Sequence, residues 1–261
     1  MPSFPGKVFL VGAGPGDPEL LTTKAVRLLQ SADVVLHDSL VSAEVLALIS
    51  PTAERIDVGK RRGIRLLSQG DINSLLVASA AKHEVVVRLK GGDPLLFGRA
   101  AEEIQALRAA HIKFEVVPGI SAAFGAAAGA CVSLTDRRIA SHVLFTTYSR
   151  SPVARILPFI GLTSETTVIV YMPGADYSGV ADWLLESGAV ADTPCLVISK
   201  ASQPDQAACP TTLARLASLA PLPAPALLIV GRVASQVEAS TSSCSWFLDA
   251  TRMAAEGNTI S

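Results

Sequence analysis

Along the first half of the chain, short apolar runs rich in β-branched residues alternate with longer stretches of helical spacing. The runs fall at residues 8–11, 34–37, 55–58, 85–89 and 114–117, with helical patterns near 19–30, 43–49, 69–81 and 98–110 between them. This order predicts a largely parallel α/β sheet with helices on both faces. A Pro-Gly pair in "VVPGIS" interrupts it, and a helix of small residues leads to a second set of runs at 143–147, 168–172, 195–199 and 227–230, with helices near 180–187 and 211–217. The boundary is placed near Gly119. The expected fold is thus α/β with two mixed domains, 1–118 and 119–240, and a peripheral tail at 241–261. The second domain is richer in proline, notably in "PLPAPA" at 221–226, where proline favours edges and loops. No internal repeat is detected.

The first strand pattern runs into a glycine-rich turn, "VGAGPGDPELLT", and the second ends at Asp38. Gly12, Gly14 and Gly16 resemble the start of a dinucleotide fingerprint, but its third glycine is replaced by Asp17. Pro15 and Pro18 lack the N–H groups that a pyrophosphate cradle needs. A second motif, "VVVRLKGGDPLLFGRAAEE", ends a strand in Gly91-Gly92-Asp93-Pro94. It brings bare backbone and a carboxylate to the carboxyl edge of the sheet, where ligands bind in such folds.

Composition narrows the partners. With 22 Lys+Arg against 23 Asp+Glu the formal net charge is -1, so no global field draws the chain to nucleic acid or to an anionic membrane. Mean hydropathy is high at +0.42, yet the most continuous apolar stretch, "AAFGAAAGACV" with its Gly125/Gly129 spacing, is too short to span a bilayer. The start, "MPSFPGK", has no basic n-region followed by an apolar segment, so a cytoplasmic protein is expected. Cys131, Cys195, Cys209 and Cys244 are scattered without a C-x-x-C pair, and the four histidines show no ligand spacing. Reduced thiols and no metal are the expectation.

The two glycine motifs together with "VVPGIS" resemble the tetrapyrrole methylase family. The matching order is V-G-A-G-P-G-D-P-E-L-L-T, H-D, V-G-K-R, V-V-R-L-K-G-G-D-P, F-G-R, E-E and P-G-I-S-A, from Lys7 to Val233 and strongest through Ser121. The resemblance is greatest to members that methylate uroporphyrinogen III. It implies two α/β domains with S-adenosylmethionine in the cleft between them, S-adenosylhomocysteine as product, and a homodimer. It further implies cofactor contacts at Pro15, Gly91, Gly92, Asp93, Leu96, Ser121, Ala122, Met172, Ala201 and Ala226. The implied reaction methylates two ring carbons of uroporphyrinogen III, giving precorrin-1 and then precorrin-2, on the route to sirohaem and cobalamin. Asp38 matches the family's proton acceptor and Lys60 its proton donor, with Glu102 a further candidate for holding or moving a proton. Arg99 and Arg137 are the candidates for binding the substrate's carboxylates, because guanidinium forks take carboxylates bidentately. The bland alternatives are a loop acid at Asp38, a solvated cation at Lys60, and a surface ion pair between Arg99 and Glu102 or Glu103.

The chain also departs from that pattern. It reads "GRAAEE" where the family reads G-R-G-G-E-E, and in "GACVSLTDR" Gly129 replaces an aromatic, Ser133 a proline and Asp136 a histidine. These changes cluster on the substrate side, which supports methyl transfer better than it fixes the acceptor. The competing readings are a methylase of a later corrin intermediate or of a protein or RNA acceptor, an inactive S-adenosylmethionine-binding protein, and a nicotinamide dehydrogenase.

Overall fold

The computed structural model describes residues 6–59, 67–148 and 162–237. They form two compact units that divide between Ala122 and Ala123.

The first unit is built on five strands, β1 (Lys7–Gly12), β2 (Val34–His37), β3 (Glu54–Asp57), β4 (Val85–Lys90) and β5 (Phe114–Val117). They run parallel in the order β3-β2-β4-β1-β5. Because successive strand residues face opposite sides, the sheet feeds two cores. Val11, Val35, Val87 and Leu89 pack against α1 (Thr23–Ser31) and α2 (Ala43–Leu46). Val8, Leu10, Val34, Leu36 and Val86 pack with α3 (Gln69–Ala80) and α4 (Ala100–Ala109).

Side chains fix where the helices begin. Thr22 caps α1 by accepting the Ala25 N–H at 3.1 Å, and Ser68 and Asp71 cap α3 reciprocally. A single helix across 19–30 was the reading of the sequence; Pro18–Leu20 instead forms a short 3₁₀ turn, and the Thr22 cap starts α1 afresh.

The second unit opens with α5 (Ala122–Gly129), whose first residue lies at the division. Its sheet holds β6 (His142–Thr147), β7 (Thr166–Tyr171), β8 (Pro194–Ser199), β9 (Ala207–Thr212) and β10 (Ala226–Val230), in the order β6-β7-β10-β8-β9. Only β6 and β7 are parallel; the other pairs are antiparallel. α6 (Tyr177–Glu186) and α7 (Leu213–Leu216) cover a core of Val168, Val170, Val197, Leu228 and Val230. The β9 strand is absent from the sequence reading, which placed a helix from 211. No helix among the described residues is long and apolar enough to cross a membrane.

Candidate active site

In a parallel sheet all strands end at one edge, so the turns after β1, β2, β4 and β5 gather there. The chain leaves β1 toward β2 and leaves β4 toward β5, in opposite directions along the sheet, so the strand order switches between these two neighbours. Ligands of open α/β sheets bind at such a point. Both glycine motifs meet there. Gly92 donates its N–H to the Gly14 carbonyl at 2.8 Å, Gly14 returns one at 3.2 Å, and Ala13 donates to Lys90 at 2.7 Å. The Pro-Gly turn after β5 joins them: a Cβ on Gly12 would sit 2.6 Å from the Cα of Gly119. Gly92 is in the left-handed region at φ +65, which explains the second glycine of the motif.

Asp93 ties this junction together. Its Oδ1 accepts the Leu95 N–H at 2.8 Å and its Oδ2 the Gly119 N–H at 3.0 Å. A carboxylate has about four acceptor positions, so Asp93 keeps capacity for a ligand's hydroxyl or ammonium groups. Gly91 presents open backbone, since the nearest atom to a Cβ built there is the Leu40 Cβ at 3.7 Å. Pro15 and Leu96 are half-buried beside these turns, Ser121 is buried, and Ala122 is half-buried at the start of α5. An accepting carboxylate set beside uncovered main chain suits a cationic, hydroxylated molecule such as S-adenosylmethionine.

Asp38 follows β2 at the same edge. Its Oδ1 accepts a hydrogen bond from the Arg88 guanidinium at 2.5 Å, and no described residue bonds the other oxygen. Arg88 also donates to Glu103 at 3.0 Å and to the Leu89 carbonyl at 3.1 Å, while Lys90 donates to the same Glu103 oxygen at 2.9 Å. Arg88, Lys90 and Glu103 are 2%, 3% and 0% exposed, so three ionic groups lie almost wholly inside the fold behind Asp38. Burial lowers the Lys90 ammonium below the usual lysine range, as does the neighbouring Arg88 charge, while Glu103 and Asp38 partly offset both.

These three residues were missed by the sequence reading, which chose Glu102. The signal was present. Ala100, Glu103 and Leu107 form the buried stripe of α4, and Glu103 holds its helical phase whereas Glu102 does not. Glu102 is instead on the solvent side and bonds Arg99 through both carboxylate oxygens, at 2.7 and 2.8 Å. This hydrogen bond, more than charge, lowers the carboxyl of Glu102 and raises Arg99. The ion pair within the helix, held above as the bland alternative, is therefore formed. Lys60 lies outside the described residues.

In the second unit, register places three of the expected cofactor residues at one edge. Leu227 pairs with Tyr171 and Ala226 with Ser199, so Met172, Ala201 and Ala226 follow or begin strands side by side. Their surroundings are strained: Met172, Lys200 and Ser202 have φ of 52, 51 and 60, an arrangement that concentrates at functional sites. Met172 is 58% exposed, offering its thioether as a soft apolar surface. Arg137 is elsewhere. It is exposed in the turn bridged at Asp136 and Ala140, before β6, and β6 starts beside the start of β7, the opposite edge from Met172.

The departures from the family pattern have structural partners. A Cβ on Gly129 would lie 2.8 Å from the Gln206 side-chain nitrogen, so Gln206 fills the space beside that residue. Asp136 is held by Arg138 at 2.7 Å, by the Arg138 N–H and by Gln236, which drive its carboxyl far below the usual range.

Comparison with known proteins gives a consistent picture. The family described as Tetrapyrrole (Corrin/Porphyrin) Methylases matches residues 7–217. A uroporphyrinogen-III C-methyltransferase of Paracoccus denitrificans is 46% identical over 238 residues, 89% of this chain and 83% of that protein. A siroheme synthase of Psychrobacter sp. is 47% identical over 89% of this chain, which spans 49% of that longer protein. A Thermus thermophilus uroporphyrin-III C-methyl transferase, solved as a complex with S-adenyl homocysteine, superposes with a TM-score of 0.77 at 38% identity, covering 88% of this chain and 99% of that one.

Proposed function

Since the chain belongs to the tetrapyrrole methylase family, we propose that it transfers methyl groups from S-adenosylmethionine to two ring carbons of uroporphyrinogen III, giving precorrin-1 and then precorrin-2. The observation that carries this reading is the carboxyl edge of the first sheet, where Asp93 and the Gly91-Gly92 main chain stand beside the half-buried carboxylate of Asp38. A nicotinamide dehydrogenase is not favoured, because Pro15 and Asp17 replace the donor and the glycine of a pyrophosphate turn.

The chain's own groups divide the work. Pro15, Gly91, Gly92, Asp93, Leu96, Ser121 and Ala122 from the first unit, with Met172, Ala201 and Ala226 from the second, hold the cofactor. When bound, it supplies an electrophilic methyl carbon. Placing that carbon in line with an electron-rich pyrrole carbon is the larger part of the rate gain. The methylated macrocycle must lose a proton, and Asp38 takes it on the carboxylate oxygen that Arg88 leaves open. Lys60 acts as proton donor. Arg99 binds propionate and acetate side chains of the substrate by exchanging Glu102 for a substrate carboxylate at an exposed and therefore weak ion pair; Arg137, at the opposite edge of its sheet from Met172, does not share that role. Glu102, once released, can hold a proton at the rim. The proposed domains are an N-terminal one at 1–118 and a C-terminal one at 119–240 with a tail beyond, the two compact units dividing between Ala122 and Ala123, and the protein works as a homodimer in the cytoplasm.

A second reading, methyl transfer to another tetrapyrrole, is favoured by Gln206 occupying the space beside Gly129. One experiment tests both. Anaerobic incubation of the purified chain with S-adenosylmethionine and fresh uroporphyrinogen III should add two methyl groups by mass spectrometry. No added mass, with S-adenosylmethionine binding retained in calorimetry, would transfer the proposal to a different acceptor. Sedimentation tests the dimer, which a concentration-independent monomer would refute.

A further inference from the structure

Buried ion pairs are poor devices for stability, because desolvating the charges offsets most of their attraction. Three buried charges clustered behind one working carboxylate therefore call for another explanation. The face of β4 that meets α3 and α4 is apolar at Val86 and becomes ionic at Arg88 and Lys90 as the strand nears its carboxyl end. Both cations converge on one oxygen of Glu103, with Gln69 a third donor at 3.4 Å. The other Glu103 oxygen is buried without a partner among the described residues. Glu103 is thus held from one side only, as an anchor rather than as a saturated hub.

Arg88 is fixed through three of its nitrogens: Nε to Glu103, one terminal nitrogen to the Leu89 carbonyl and the other to Asp38. A planar guanidinium clamped at three corners has no freedom to rotate. The Asp38 main chain is tied to the same strand, its N–H donating to the Leu89 carbonyl at 3.3 Å. Backbone and side chain of Asp38 are therefore both referenced to residues 88 and 89. We propose that Arg88, anchored by Glu103, is a positioning residue that fixes one carboxylate oxygen of Asp38 and turns the other toward the proton to be removed. This rests on the reading of Asp38 as the proton acceptor.

A double-mutant cycle on the full-length chain tests it, using the methylation assay above with turnover and S-adenosylhomocysteine affinity measured separately. Arg88→Lys keeps the charge but loses the fork. It should lower turnover roughly 10-fold to 100-fold, the scale seen when partners that orient a working group are removed, with cofactor affinity changed less than about twofold. In the Asp38→Asn background the same substitution should change turnover by less than about twofold, because residues acting as a unit are not additive. Full losses that multiply in the double variant, or an Arg88→Lys enzyme with normal turnover, would overturn the proposal. Should Arg88→Lys not fold, Glu103→Gln reads the same cycle, since it keeps shape and withdraws the anchor's charge. If Asp38→Asn alone retains normal turnover, the reading of Asp38 fails first and the positioning role falls with it. If Asp38→Asn is slow but the cycle is additive, only the role of Arg88 is lost.

Discussion

The two sheets each have five strands, yet they bury different polar groups. Inside the first, the parallel sheet encloses Arg88, Lys90 and Glu103; inside the second, the buried polar side chains among the described residues are Thr146, Thr167, Ser187, Ser199 and Gln206, none of them charged. Uncharged groups can be satisfied by nearby main chain, as Ser187 is by Trp183 and Ser199 by Pro223. Charges need each other and an organised surround. The difference teaches that the first unit carries electrostatic work at its carboxyl edge, whereas the second offers shape and apolar surface at the edge that holds Met172.

The sharpest way to break this comparison is Asp38→Asn. It should reduce turnover roughly 10²-fold to 10⁴-fold at saturating substrate, the range for a lost general base, while calorimetry shows S-adenosylmethionine binding nearly unchanged. Next is Glu103→Leu, which leaves two buried cations without their shared anion and should destabilise the fold by about 3–5 kcal/mol in urea melts. The matching change in the second unit has the opposite sign. The Thr167 hydroxyl is buried and bonds nothing among the described residues, so Thr167→Val should stabilise by about 1 kcal/mol.

A smaller effect concerns pH. Burial pushes the Cys195 thiol from 9.0 up to about 12, so above pH 9 the unfolded chain releases this proton while the folded one retains it. Stability from this group is complete below pH 9 and declines as pH rises toward 12, and Cys195→Ala should flatten that slope. Smallest is Glu115, bonded by Lys7 at 2.6 Å and by Lys24, and held down at about 2 chiefly by the Lys24 bond and then by that to Lys7. Its contribution is present above pH 4.5 and lost as pH falls toward 2. Glu115→Gln should remove only that acid-side slope, and salt should mask the change.

The strands of the first sheet were legible because β-branched apolar runs inside a parallel sheet stand out from the helices around them. All five coincide with the runs read from sequence to within a residue or two. β9 was not legible. "AACPTT" has neither alternation nor a sustained apolar run, and Pro210 is tolerated because this strand lies at the sheet's edge. The start of α4 was read two residues early, since Arg99 adopts φ 56 before the helix begins. In the site, the glycine turns and Asp38 could be read from motif and position. The identity of the inward glutamate required helical phase, and the partners of Asp38 required knowing that β2 and β4 lie side by side.

The junction of the three glycine turns also sets what a library of variants can explore. A side chain added at Gly12 or Gly119 meets main chain, which cannot swing aside, so these positions should accept almost no replacement in a growth-based screen. Gly91 differs, because an alanine there meets nothing nearer than Leu40 at 3.7 Å. If Gly91 touches the cofactor as proposed, directed evolution toward bulkier or smaller alkyl donors has a more permissive starting point at residue 91 than at Gly12 or Gly119, since the surface there can be remodelled while the turns beneath it stay locked.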